Sequence, residues 1–277
     1  MNGRSRLQLN TSMWLYIPLA VMTAFYLIPL YIMLVTGFKS FEEVDLQTMW
    51  NLPSGFHVDN FVAAFGTLAP NLTNSFMLVI PAAILSSFVG SINGFILAKW
   101  KFPGADIIFP VLLFGMFIPY QSILIPLVEF MRTVNLYGTL PGLILTHIIY
   151  GIPITTLTFR NYYATLPREV LESAHIDGAG MLQIYRSIVL PLSPPAFVVV
   201  LIWQFTSAWN DFLFAVVLTD SQTWPVTVAL NNMAGSQIIA WNVQMAGSFL
   251  AALPTLLVYI FLGRFFIRGL MAGALKG

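Results

Sequence analysis

The sequence predicts an all-α membrane protein with six transmembrane helices and both termini on the cytoplasmic side. Three observations lead there. Of 277 residues, 58% are hydrophobic and only 8% are charged, whereas a soluble domain carries roughly 25% charged residues. The charges leave six uncharged gaps, each able to hold the roughly 20 apolar residues of a membrane helix. Basic residues then fall almost entirely on one side once those gaps are counted as spans. A soluble globular enzyme is excluded. Lys and Arg number 12 against 11 Asp and Glu, with no basic run, so nucleic-acid binding and disorder lack compositional support. Zero cysteines remove disulfides, thiol catalysis and cysteine-ligated metals.

Because a charge at the bilayer centre costs at least about 2.5 kcal/mol, the gaps locate the elements in order. The first span, 13–37, lies between Arg6 and Lys39. It is as long as a bilayer is thick and lacks a convincing small-residue cleavage site, so it reads as a retained span and not a signal peptide. The second is 73–98, ahead of Lys99, and the third is 106–128, from Asp106 to Glu129. The fourth is 139–160, between Arg132 and Arg160. The fifth, 193–218, follows Arg186, and the sixth, 243–265, ends at Arg264. Internal prolines at Pro18, Pro29, Pro81, Pro110, Pro119, Pro126, Pro153 and Pro254 predict bends, either simply tolerated in the membrane or placed where helices line a path.

With both termini inside, Arg4, Arg6, Lys99, Lys101, Arg160, Arg168, Arg186, Arg264, Arg268 and Lys276 are cytoplasmic, and only Lys39 and Arg132 are outside. Basic residues are held back from translocation, which makes this the expected orientation.

The longest polar cytoplasmic segment, 161–192, reads as two short helices joined by a glycine turn. Pro167 suits a first helical turn, Glu169 favours the positive end of the helix dipole, and Asp177-Gly178 stops the first helix. The second helix is expected over 181–190, ending at Pro191. Val170, Leu171 and Ala174 share an apolar face flanked by Glu169, Glu172 and His175. Such a helix either docks a partner or rests on lipid headgroups.

Within that segment, Glu172-Ser173-Ala174, then Asp177-Gly178-Ala179, then Ile188, Leu190 and Pro191 resemble the EAA loop of bacterial ABC-importer permeases. That pattern runs E-A-A, three residues, G, nine residues, I-x-L-P, and the spacing agrees throughout. Ser173 replaces the second-position alanine but keeps a small side chain. The resemblance implies a type I ABC-importer permease fold, with 1–277 a single transmembrane domain and 161–192 its coupling loop. It also implies that Glu172, Ser173, Ala174, Asp177, Gly178 and Ala179 form the part that couples to a separate ATPase subunit, Glu172 through polar contacts and Gly178 through a tight turn.

The resemblance extends to the carbohydrate-uptake branch. Trp209-Asn210-Asp211-Phe212 looks like the fifth-span motif of sugar permeases, and the 268–277 tail, RGLMAGALKG, looks like a C-terminal signature that docks on the ATPases. The stretches Phe159-Arg160-Asn161-Tyr162-Tyr163, Ile202-Trp203-Gln204-Phe205 and Val228-Ala229-Leu230-Asn231-Asn232 are similar to glucose, mannose and glucoside permeases. The partners so implied are a second homologous permease, two ABC ATPases, an extracytoplasmic sugar-binding protein and membrane lipid. The location implied is the bacterial plasma (inner) membrane.

Two further sites are expected. Trp209, Asn210 and Asp211 either face the sugar, by stacking and planar hydrogen bonding, or serve structure, Asp211 satisfying backbone donors or a partner helix near the outer face. Asp211 lies about 27 Å along a continuous helix from Ser193. The outer segment 220–242, with Asn231, Asn232 and Gln237, either enters the binding protein's cleft, as the resemblance implies, or caps the outer face. No catalytic residue and no metal site are expected, since His57, His147 and His175 are dispersed. The sequence lacks G-x-x-x-x-G-K-[ST], so ATP and Mg belong to a partner and this chain binds no cofactor. The alternative function is a secondary transporter or channel without an ATPase. It would need ionisable groups in the spans, where only Asp211 and His147 stand.

Overall fold

A computed structural model describes residues 4–100, 102–235 and 240–274, and the regular structure of these residues is helical. In order they form α1 (Arg4–Gly37), α2 (Asp59–Lys99), α3 (Ala105–Phe114), α4 (Leu124–Thr133), α5 (Leu140–Ala164), α6 (Arg168–Ile176), α7 (Met181–Ile184), α8 (Pro194–Trp209), α9 (Leu213–Leu218), α10 (Val226–Ala234) and α11 (Trp241–Ala274). Four of these, α1, α2, α5 and α11, are long and apolar enough to cross a membrane alone. Two bent pairs bring the count to six if each pair is one span.

The third and fifth spans are not the continuous helices expected at 106–128 and 193–218. The third is split into 105–117 and 120–133, which meet at 92°. Pro119 follows Ile118, whose ψ of 119° is extended, because a residue ahead of proline is pushed out of helical geometry. At 1.5 Å per residue neither ten-residue helix, α3 or α4, crosses an apolar core of about 30 Å. In the fifth region α8 stops at Trp209, and α9 starts only at Leu213. Before α8, the segment 181–189 meets 194–209 at 89°. By contrast, the prolines within α1, α2, α5 and α11 are carried inside the helices.

The described residues group into two compact units, Met1–Leu68 with Asn232–Ala251, and Ala69–Asn231 with Ala252–Gly277. In the first, Gly37 lets α1 approach closely: a Cβ there would lie 3.1 Å from the Phe61 ring and 3.3 Å from the Ala246 nitrogen. Asn60 Nδ2 donates to Gly37 O and Lys39 O, and Asn242 Nδ2 donates to Asn60 Oδ1 at 3.0 Å. Lys39 is 2% exposed, its ammonium donating to Thr48 O at 2.7 Å. One of the two cations that the span count puts outside is therefore buried, and the other, Arg132, stacks over Tyr137 at 4.5 Å.

The second unit is built on α2, α5 and α8. Gly90 and Gly94 form a G-x-x-x-G pair on α2, and a Cβ on Gly94 would lie 2.7 Å from Phe159 Cβ and Arg160 N. Small residues at this spacing let membrane helices pack backbone to backbone. Thr155 Oγ1 donates to Ser86 O, and Gln204 Nε2 donates to Ser86 Oγ at 3.0 Å. Three helices are thus joined by polar bonds where no water competes.

Candidate functional site

The coupling segment is set by its own sequence. Pro167 precedes α6, whose first turn holds Glu169. At the other end Gly178 has φ +79°. Its N–H donates to His175 O at 3.0 Å, and Ala179 N–H donates to Ala174 O at 2.9 Å, a double closure that satisfies the last carbonyls of the helix. Nothing lies within 4 Å of the position a Cβ would take. Glycine is required there by backbone conformation, at about 1 kcal/mol or more for any other residue.

The two faces of α6 divide cleanly. Leu171 and Ala174, with Ala179, pack on a buried cluster that includes Phe95, Phe159, Tyr163, Tyr185 and Val189. Val170, expected on that face, instead points outward and is 43% exposed, beside Ile176 at 86% and Leu182 at 73%. The outer face also carries Glu169 and Ser173, both exposed, while Glu172, exposed as well, borders the space towards the end of α2. Val170 lies one residue from Leu171, a rotation of about 100° on a helix, which carries it off the packed stripe. The Ser173 hydroxyl turns back to Val170 O at 3.1 Å, and the His175 ring packs edge-on to Trp100. A cavity of about 680 Å³ separates α6 from the end of α2, lined by Phe95, Trp100, Arg168, Leu171, Glu172 and His175 among others.

Behind the coupling helix runs a chain of buried hydroxyls. Tyr185 OH meets Ser91 Oγ at 2.9 Å, Ser91 meets Tyr163 OH at 2.5 Å, Tyr163 meets Ser193 Oγ at 2.9 Å, and Ser193 donates to Val189 O at 2.5 Å. Lys99 Nζ donates to Leu166 O at 2.8 Å. The ends of α2 and α5, the wide turn at 185–189 and the start of α8 are therefore one hydrogen-bonded body. A displacement of α6–α7 has a stiff route into three membrane helices. Sequence reading missed this network. Its signals were polar residues in apolar helices: Ser91, Tyr163 and Ser193.

The residues expected on a substrate path are separated in exposure. Trp209 is 2% exposed, between the Phe76 ring at 4.9 Å and the Phe205 ring at 5.5 Å, so neither face of its indole is open. Asn210 is exposed, its amide donating to Thr206 O. Asp211 is not on a continuous helix. It sits in the break between α8 and α9, accepts the N–H groups of Phe214 and Ala215, and lies 3.3 Å from His147 Nε2. Around Phe214 gather the rings of Tyr120 at 5.5 Å, Tyr150 at 5.0 Å and His147 at 6.1 Å. Tyr120 and Tyr150 were not singled out in the sequence. The legible signal was the polar triplet Tyr120-Gln121-Ser122 after Pro119, in the middle of an apolar gap.

Asn231 and Asn232 are exposed at the end of α10. Gln237 lies outside the described residues, as do Lys101 and the last three residues of the tail. The turn before α10 is tied down: Val226 N–H donates to Ser75 Oγ at 2.8 Å and Asn71 Nδ2 donates to Trp224 O.

Comparison with known proteins bears on this architecture. The model of the binding-protein-dependent transport system inner membrane component family matches residues 90–270. A probable ABC transporter permease of Pyrococcus horikoshii is 46% identical, the match covering 96% of this chain and 98% of that protein. A xylose/arabinose import permease of Haloferax volcanii is 36% identical over 90% and 89% of the two chains. A glucose import system permease of Saccharolobus solfataricus is 33% identical over 93% and 92%. A chain of a bacterial ABC transporter that imports alginate superposes with a TM-score of 0.81 at 19% identity, covering 96% of this chain and all of that one. The chain therefore belongs to the family of binding-protein-dependent transport system inner membrane components, and its helices take the type I permease fold of ABC importers.

Proposed function

We propose that this chain is a non-catalytic permease subunit of an ATP-driven importer that takes a glucose-type sugar, as mono- or oligosaccharide or glucoside, from a soluble binding protein into the cytoplasm. The observation that carries the reading is α6, with its inner face packed on the membrane helices and Val170 and Ile176 left exposed, together with Leu182 on α7. Apolar side chains on a cytoplasmic face call for a protein partner. The named import functions of the relatives support the sugar class.

In this reading Glu172, Ser173, Ala174, Asp177, Gly178 and Ala179 shape the part that seats on an ATPase. Two such ATPases hold ATP and Mg, and a second homologous permease completes the path. Both termini lie in the cytoplasm. ATP closes the ATPases and moves α6 and its partner's equivalent together. The hydroxyl chain carries that motion to α2, α5 and α8, the path opens towards the binding protein, and hydrolysis resets it. Asn231 and Asn232, exposed at the end of α10, are offered to the binding protein.

The test is tagged purification in mild detergent, with mass identification of co-purifying chains, for wild type and Gly178→Pro, followed by uptake of radiolabelled glucose, xylose, maltose and diacetylchitobiose in vesicles. Recovery of a second permease and an ATPase, loss of the ATPase in the variant, and uptake of at least one sugar are expected. Transport by this chain alone would overturn the reading in favour of a secondary transporter or channel.

A further inference from the structure

We infer that the two broken spans together build a sugar-contact subsite, formed by Tyr120, Gln121 and Ser122 at one break, Asn210 at the other, and Tyr150 between them. The inference rests on the sugar-importer reading above and adds residues which that reading did not assign to the path.

The backbone gives the first argument. From Ile118 to Ile123 the chain is extended and then tightly wound, in the middle of a stretch whose flanking helices are each too short to span alone. Non-helical backbone at membrane depth is tolerated only where protein covers it or where it lines a water-filled cavity, because lipid offers no hydrogen bonds. Residues 116–122 are all exposed in this chain, so they face either the second permease or the water-filled path that the two chains would enclose. The break at 210–212 is the same kind of feature, and the Tyr120 and Phe214 rings, 5.5 Å apart, bring the two breaks together. Transport sites are commonly built where discontinuous membrane helices meet.

Side-chain chemistry gives the second. Among the described residues the Tyr120 and Tyr150 hydroxyls, the Gln121 amide and the Ser122 hydroxyl have no hydrogen-bond partner. Elsewhere in this unit many polar groups of the spans are bonded, as at Ser86, Thr155, Gln204, Ser91 and Tyr163, and the unbonded Ser87, Thr156 and Thr255 hydroxyls are shut away from any ligand, whereas Tyr120, Gln121 and Ser122 are exposed. Unpaired donors and acceptors cost free energy in lipid but serve a hydroxyl-rich ligand in water. Flat aromatic faces beside a planar amide and hydroxyls are the groups that bind a pyranose ring, by stacking on its C–H face and hydrogen bonding to its edge. Trp209, buried between two rings, has no such face to offer. Asp211 is already engaged by His147 and the N–H groups of α9.

The chain contains no cysteine, which makes the test direct. Gln121→Cys, Ser122→Cys and, as control, Val111→Cys (65% exposed on α3) are placed singly in the assembled importer in vesicles. Each is treated with a membrane-impermeant cationic methanethiosulfonate, and labelling is read by the mass of this chain. Only a thiolate reacts, and it forms in water and not in lipid. Labelling at 121 and 122 at least about tenfold faster than at 111, and slowed severalfold by saturating binding protein loaded with the transported sugar, is expected. In a second arm, Tyr120→Ala and Gln121→Ala should each lower uptake about tenfold, the effect of losing one good contact, while binding-protein-stimulated ATP hydrolysis stays within about twofold.

Absence of labelling at 121 and 122, both without nucleotide and with ATP trapped, would overturn the subsite. So would labelling at 111 as fast as at 122, or labelling that the sugar leaves unchanged. Failure to co-purify an ATPase or to take up any of the four sugars would instead strike at the importer reading, and is measured separately.

Discussion

The coupling segment and the broken spans solve the same problem, ending a helix in mid-course, in opposite ways. At 176–179 the end is written locally. Gly178 takes φ +79°, two consecutive N–H groups close on the last carbonyls, and nothing lies within 4 Å of where a Gly178 Cβ would sit. At 118–123 and 210–212 the local signals, Pro119 and the Asp211 carboxylate, are joined by rings from separate parts of the chain, Tyr120 within the first break with Tyr150 and His147 of α5 around Phe214. A locally coded end is rigid and makes a lever. An end held by distant side chains can be reshaped, which is what a gated path needs.

The largest effect should come from the lever. Leu182→Asp puts a charge on an exposed apolar position of the coupling segment, so the chain should fold as before while capture of the ATPase weakens by about a hundredfold, measured by titrating purified ATPase onto the immobilised permease. Next comes the hub of the breaks. Phe214→Ala removes the ring shared by three aromatic neighbours and should cut uptake about tenfold or more with the ATPase still bound; an equal loss of both would mean the two regions are not separable. Tyr163→Phe deletes the hydroxyl that joins Ser91 to Ser193, and since each serine keeps its other partner, Tyr185 and Val189 O, the cost is only about 0.5–1.5 kcal/mol per lost bond. Sugar moved per ATP should fall severalfold, and unchanged stoichiometry would remove the hydroxyl chain from the transmission route.

A smaller effect sharpens the contrast. Pro119 sets the break at 118–123 locally while the ring cluster packs against it, so Pro119→Ala should leave uptake within about threefold of wild type if packing alone can keep the break, and a larger loss would give the local signal the greater share. Smallest is Glu43 in the first unit, whose carboxylate accepts the N–H groups of Ser40 and Ser54 at 3.0 Å. The bonds to Ser54 and Ser40 hold its carboxyl below the usual range. The stabilisation is present above the ordinary carboxylate value and lost as pH falls through the lowered one. Glu43→Gln should make loop 40–54 cut faster by protease at neutral pH, with the difference closing in acid. The effect is slight because the group is exposed.

Much of this protein was legible without coordinates. Charge spacing located α1, α2, α5 and α11, because the penalty for charge in lipid is larger than the helix-propensity difference of any residue but proline and acts at every position. The turn at Gly178 and the start at Pro167 were legible because each depends on one residue's own backbone preference. The G-x-x-x-G pair on α2 was equally visible but went unused. What composition could not give was which polar residues in the spans meet. Ser91 and Tyr185 are 94 positions apart in sequence, and Tyr120, Tyr150 and Phe214 come from three different elements.

Nor could the gaps between charges show that two of the expected spans are broken, since an apolar stretch satisfies hydropathy whether it is straight or bent. Trp209, Asn210 and Asp211 are adjacent in the chain, yet one is buried between rings, one is exposed and one caps a helix. The sequence by itself determined that the chain lives in a membrane, how many apolar segments it has and where the helix α6 turns, because solvation and backbone sterics act residue by residue. Only the tertiary structure decided which face of α6 stays exposed and which polar groups of the broken spans stay unpaired, because packing depends on what arrives from elsewhere in the chain.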